Sequence, residues 1–386
     1  MHPPELIPLT DYAPPAMPTE NALRAAWHRL QRRIGMGGDE EPMLARAGLE
    51  RTSLQLLDDI ADPPGCAPML QALDTHLGDW SRSRDAAPRV QLIVVPPCDT
   101  TATLETWARS QRIALLAAPH RADLVGTAAE PGEEDLAGDG LLVIPRLERW
   151  FVRQRNGLQA VRSLLARVAG GDRRCLVGCD AWAWAFLVRA VDADLMLPRP
   201  QAIAPFDAPR LRQWFAALAA DGGDAATFRL ARSGEDVLAC DDDGAPRSDW
   251  LRQLASRSGG IPWVAWHLWR AGLRVRAGDG ALSESDARAV ADDRRTIWVV
   301  DVDDSELPPS HEGRSLLALQ ALLVHGSLSA AELDAVLPTT GDGDVLPALV
   351  ASGHLRCDRG DYTLRPTAYP AVRQALQAAD YPMGAI

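Results

Sequence analysis

The chain has 386 residues, enough for two or three domains at about 150 residues each. All forty basic side chains are arginine, so every chemistry that needs a lysine amine is excluded, and fifty-two acids bring the net charge to −12. That field repels nucleic acid and anionic membrane unless a local basic patch overrides it, and the sequence contains no run of five or six basic residues.

Residues 1–20 carry six prolines and are expected to form a flexible, extended arm. The prolines also interrupt the apolar stretch that a signal peptide needs. No uncharged apolar segment approaches the ~18 residues of a spanning helix, and the six cysteines are scattered rather than framed, so reduced thiols in a cytoplasmic protein are expected. Residues 21–85 read as a helical N-terminal region. Leu23, Trp27 and Leu30 stand at helical spacing, and Leu54–Ile60 and Met69–Leu77 continue the pattern to Trp80.

Between 86 and 206 the period changes. Val90–Val95 is a buried strand ending at two prolines, a helix follows from Thr101 to Ser110, and a second short run spans Ile113–Ala117. After an acidic loop come the strand Leu141–Ile144, a helix over 158–168 and the strand 174–178. Strands alternating with helices predict an α/β fold with a parallel sheet. Residues 207–275 turn helical again (Pro209–Leu218, Trp250–Ser256, Trp263–Leu273), with Trp263, Trp266 and Trp269 at three-residue steps as a core stripe. Residues 276–312 form an acidic linker around one strand-like run, Ile297–Val300. From 313 to 386 the order is helix, capping-box helix opened by Ser329, short helix, hairpin (354–357 and 362–365) and a last helix over 369–378. That order predicts a winged-helix domain.

A strand, a turn and a helix, with a second buried strand about 45 residues later, resemble the place where a P-loop NTPase keeps its phosphate loop, GxxxxGK[S/T], in which glycines let backbone N–H groups cradle phosphate while the lysine and hydroxyl meet the phosphates and magnesium. Pro96, Pro97, Cys98, Asp99, Thr100, Thr101, Ala102 and Thr103 stand there instead. The glycines and lysine are missing, and only Thr103 fits. The magnesium carboxylates expected after Leu141–Ile144 are likewise replaced, by Pro145 and Arg146, with Glu148 beyond them as an ion-pair partner.

In the order of its elements, the chain from about 86 onward resembles AAA+ ATPases with a C-terminal winged helix, of the origin-recognition and STAND type. The resemblance implies a P-loop NTPase-like core, a helical lid over 207–275, a sensor position at Asp180 and a lid segment at Arg257, Gly259 and Gly260. Because the loop and carboxylates do not match, it implies a pseudo-ATPase without a cofactor.

Other patterns carry less. Cys175 and Cys179 are strand-end thiols without a second ligand pair, so no metal site is expected. Asp301, Asp303 and Asp304 resemble a phosphatase DxD strand, but too little chain follows them, and an acidic linker is the alternative. The expected function is a catalytically inactive interaction or regulatory scaffold for a protein partner. The alternatives are a DNA-binding regulator or a nucleotide-binding protein with weak turnover. From Gly313 onward five arginines face seven acids, the wrong sign for DNA. Arg356, Arg359, Tyr362 and Tyr369 are the expected docking residues, and removing 313–386 is expected to leave a folded core that no longer captures its partner.

Overall fold

The computed structural model describes residues 4–17, 49–51, 67–83, 87–126, 132, 136–221, 226–242, 244–276, 296–301, 312–337, 344–384 and 386. They fall into two units, one of residues 2–13, 66–204 and 304–386, the other built mainly from 14–65 and 205–303. The expected helices at Asn21–Arg33 and Leu54–Ile60, and the pair Asp303 and Asp304, lie outside the described residues.

The first unit is built on a six-stranded sheet. Its strands are β1 (Leu6–Pro8), β3 (Val90–Val95), β4 (Ala114–Leu115), β5 (Leu142–Ile144), β6 (Cys175–Asp180) and β7 (Gln201–Ile203), in the order β1-β7-β3-β6-β5-β4. β3 to β7 are mutually parallel, so the α/β parallel-sheet class is as expected. Both faces of β3 and β6 are buried, which is why they read as unbroken apolar runs. On one face Ile93, Val143 and Leu176 pack with Leu73 and Leu77 of helix α1 (Ala67–Arg82) and Leu104 and Trp107 of helix α2 (Thr103–Ser110). Helices α3 (Arg121–Gly126), α4 (Gln159–Gly170), α5 (Ala181–Val191) and the short α6 (Ala193–Met196) complete the α/β layers.

The proline-rich arm is not free over its described residues. β1 pairs antiparallel with β7, Leu6 opposite Ile203, and Leu9 and Tyr12 are buried. An outer strand tolerates proline because its outward N–H groups need no partner, so Pro8 is compatible with pairing.

The second unit departs from a purely helical lid. Besides α7 (Ala208–Asp221), α8 (Asp249–Arg257) and α9 (Pro262–Gly272) it holds a four-stranded sheet in the order β2-β9-β10-β8, from β2 (Leu49–Arg51), β8 (Thr227–Leu230), β9 (Leu273–Arg276) and β10 (Thr296–Val299). Trp263 and Trp269 are core residues, with Trp269 stacked at 4.9 Å on Phe215. Asp301, within the supposed linker just after β10, accepts from the Trp250 indole at 3.0 Å.

The C-terminal segment of the first unit runs α10 (Glu312–His325), β11 (Leu328–Ser329), α11 (Ala330–Val336), α12 (Val345–Ala351), β12 (Leu355–Asp358), β13 (Asp361–Leu364) and α13 (Tyr369–Ala378). Its sheet has the order β11-β13-β12, and the hairpin turns through Arg359 and Gly360, both at positive φ as a two-residue turn demands. Ser329 and Glu332 form the expected capping box reciprocally.

Candidate functional site

The carboxyl ends of parallel strands are where open α/β sheets hold ligands, at the point where the strand order reverses. Here that point lies at β3 and β6: β7 adds to one side of β3, and β6, β5 and β4 lie on the other. The register sets Val95 beside Asp180, so the loop after β3 and the residue closing β6 meet.

The loop folds around its own carboxylate. Asp99 accepts from the Thr101 N–H at 3.0 Å and hydroxyl at 2.9 Å through Oδ1, and from the Thr103 N–H at 2.8 Å through Oδ2. Helix α2 is preceded by Ala102 in the left-handed region and has no capping side chain at that position, so Asp99 supplies the negative charge its N-terminus favours. The Thr103 hydroxyl lies 3.2 Å from that of Thr101, and the residue is buried. Cys98 and Ala102 both hold positive φ, a strain of about 1–3 kcal/mol each for a non-glycine residue. Pro96, Pro97 and Thr100 complete the turn. These backbone donors are therefore engaged from within, by a carboxylate in the place of an anion.

Three charged residues lie beside the loop. Arg146 Nε donates to Glu148 Oε1 at 2.9 Å, and Glu148 Oε2 accepts from the Asp180 N–H at 3.2 Å. Pro145 is held against the sheet: its carbonyl oxygen would stand 2.4 Å from a Cβ on Gly178, so β6 needs glycine there. The Asp180 carboxylate caps α5 by accepting from the Trp182 N–H at 2.8 Å. Burial, then the charge of Glu148, pushes its pKa up to about 8. Burial also pushes the Cys98 and Cys179 thiols far up, with Asp180 adding to both, which leaves them protonated and unreactive. Cys175 and Cys179 are free thiols inside the strand, and no group of three metal-ligating side chains exists among the described residues.

A neighbour that sequence reasoning missed closes this region. Tyr369, expected on a docking surface, is only 1% exposed: its hydroxyl accepts from the Trp182 indole at 3.3 Å and donates to the Ile386 carbonyl at 3.1 Å. Its place at the start of an amphipathic helix is the signal that points to core rather than surface. Arg356 and Arg359 are exposed on the hairpin and Tyr362 is half-buried on β13. Arg257, Gly259 and Gly260 belong to the second unit. There both glycines hold positive φ after α8, and a Cβ on Gly260 would come 2.5 Å from Pro205, so packing alone accounts for glycine at that position.

No helix among the described residues is long and apolar enough to cross a membrane. No known family's sequence model matches the chain, and no characterised protein matches it in sequence. Solved structures similar to it include Cdc6p from Pyrobaculum aerophilum, at 14% identity and TM-score 0.33 over 83% of this chain and 98% of that one. A point mutant of RuvB from Thermotoga maritima is 12% identical at TM-score 0.31 over 86% and 96%. The ORC2 protein of Aeropyrum pernix, in ADPNP–ADP complexes, is 14% identical at TM-score 0.30 over 95% and 96%. Likenesses of this size carry no argument about the site, and the functional reading rests on the chain's own geometry.

Proposed function

We propose that the chain is a catalytically inactive AAA+-like protein, a P-loop NTPase fold turned into a protein-interaction or regulatory scaffold. The observation that carries this reading is the Asp99 carboxylate. It takes the Thr101 and Thr103 N–H groups that a working loop would offer to phosphate, and it would repel phosphate by charge. No lysine exists to counter it, Pro145 and Arg146 stand where magnesium carboxylates would, and Glu148 is engaged by Arg146 and the Asp180 N–H. Transition-state charge on a transferring phosphoryl group has nothing here to stabilise it.

The C-terminal segment follows the element order of a winged helix, and its use is docking to a protein rather than to DNA. The helix a DNA reader would place in the groove is α12, whose sequence VLPALVA carries no charge. The exposed hairpin, with Arg356 and Arg359 flanking Cys357 and Asp358, is the surface left for a protein partner, because Tyr369 and the face of α13 around it are used internally.

The test has two arms on the purified full-length chain. ATP and GTP hydrolysis should stay at background, and R356E/R359E should keep the wild-type circular dichroism while losing the partner that the wild type retains in a pull-down from its native cell. Turnover abolished by T103A or E148Q, or undiminished capture by the hairpin variant, would overturn the corresponding half of the reading.

A further inference from the structure

Three guanidinium groups of the α/β core converge on a single turn of the C-terminal segment, residues 325–327 between α10 and β11. Arg121, at the start of α3, donates from Nη1 to the Ser327 carbonyl and from Nη2 to the His325 carbonyl. Its guanidinium lies 3.7 Å from Glu332, and its side chain is 6% exposed. Arg149 reaches the Ser327 hydroxyl through Nη2 at 3.5 Å, the outer limit of a hydrogen bond. Arg146, bonded to Glu148 through Nε, lies against Gly326, where a Cβ would come 3.0 Å from its Nη2.

Besides burial, Arg121 feels Glu332 and Glu148 on one side and Arg149 and Arg146 on the other, while Arg146, beside Glu148, Glu105 and Asp180, is the best compensated of the three cations. Burial, opposed by Glu332 but reinforced by the two other arginines, brings the Arg121 pKa down to about 10. Arg149 is lowered by burial and then by Arg146, against Glu148 and the weaker pull of Asp361 and Glu105. Donors are left over as well: the Nε–H groups of both Arg121 and Arg149 are buried without a hydrogen-bond partner. Buried donors without partners destabilise the fold, the more so when charged. Like-charged guanidiniums held together add to that cost, and an oxyanion relieves both at once.

We propose that this turn is a binding site for a small phosphate-type oxyanion, gripped by the half-exposed Arg149 together with Arg121 and Arg146. The chemistry suits the residue type, since a guanidinium offers paired N–H donors to two oxygens of a tetrahedral anion and a lysine ammonium does not. The site shares Arg146 with the surroundings of the loop after β3 but uses none of the donors that Asp99 holds, and it stands whether or not the scaffold reading does. A bound anion would join α3 and the segment after β5 to the turn between α10 and β11, and so fasten the C-terminal segment to the core.

Inorganic phosphate is the probe, titrated into the full-length chain against chloride at matched ionic strength. The readouts are the melting temperature and amide hydrogen exchange over residues 312–337. The expected result is a saturable rise in melting temperature with slower exchange in that segment. R149Q, which removes one of the crowded charges and an unpartnered donor, should weaken phosphate binding by about tenfold or more while melting no lower than the wild type without phosphate. R149K, which keeps the charge and loses the fork, should fall between the two. A wild-type response that does not saturate, or a response in both Arg149 variants equal to the wild type's, would mean an unspecific salt effect and overturn the proposal.

Discussion

Asp99 folds the loop after β3 around its own carboxylate. Replacing it by alanine frees the Thr101 and Thr103 N–H groups and removes the only acid at the start of α2 that accepts from them. D99A should therefore lose about 1–2 kcal/mol in urea denaturation, the usual cost of a lost helix cap. Two buried ionisable groups set the pH response. Asp180 titrates at about 8 in the folded chain against an ordinary 3.8, so the fold holds its proton more tightly, and that contribution is lost as pH rises toward 8. His325, buried against Phe151 at 4.9 Å and near Arg121 and Arg153, is held well below 6.5, so its contribution is full above 6.5 and lost as pH falls. Stability measured by denaturant should change little between pH 5 and 6.5, where the two slopes oppose, then fall toward pH 8; D180N should flatten the upper limb. The sequence made the missing lysine, glycines and carboxylates legible, because absence needs no coordinates. It could not show that Asp99 turns back onto its own loop, since that depends on left-handed backbone at Cys98 and Ala102, two residue types that do not advertise it.

At the scale of elements, legibility followed the length and period of each apolar run. β3 spans Val90–Val95 and α13 Tyr369–Ala378 as read from the sequence, because one is a mostly apolar run rich in β-branched residues and the other a clean helical stripe. β7 and β8 were not visible: three and four residues are too few for a period to emerge, and their partners are distant in sequence. β9 starts where α9 ends, with no proline between them and only Gly272 as a stop signal, so its first residue, Leu273, reads as the helix's end and the strand goes unseen. Helix α5 was missed for the opposite reason. AWAWAFLVRAV is apolar nearly all round, which hides the 3.6-residue period, and its start is covered, where Asp180 caps it and Trp182 and Trp184 are buried.

The expectation of a detachable C-terminal domain does not survive the packing of the whole molecule. Phe151 stacks on Phe186 of α5 and meets His325 of α10, Arg153 donates to Gln320, and Trp182 bonds Tyr369, so residues 312–386 complete a core that the α/β layers begin. Removing 313–386 bares Phe151 and Trp182 and leaves Arg121 without its carbonyl partners. The truncated chain should therefore show no cooperative thermal transition near that of the full chain, and should bind a hydrophobic dye. A sharp transition with near-wild-type ellipticity would restore the picture of an independent core. The scaffold reading is accordingly tested with point changes on the hairpin rather than by deletion.

The pairing of Leu6 with Ile203 also bears on how the chain reaches its folded state. Leu6 and Ile203 stand about 200 residues apart in the chain, so the contact carries a loop-closure cost that delays its formation. Through that interval β3 and then β7 present an open edge to any other extended chain. Proline lacks the N–H that a ladder needs, so the prolines flanking β1 disfavour its pairing with another extended chain before that contact forms.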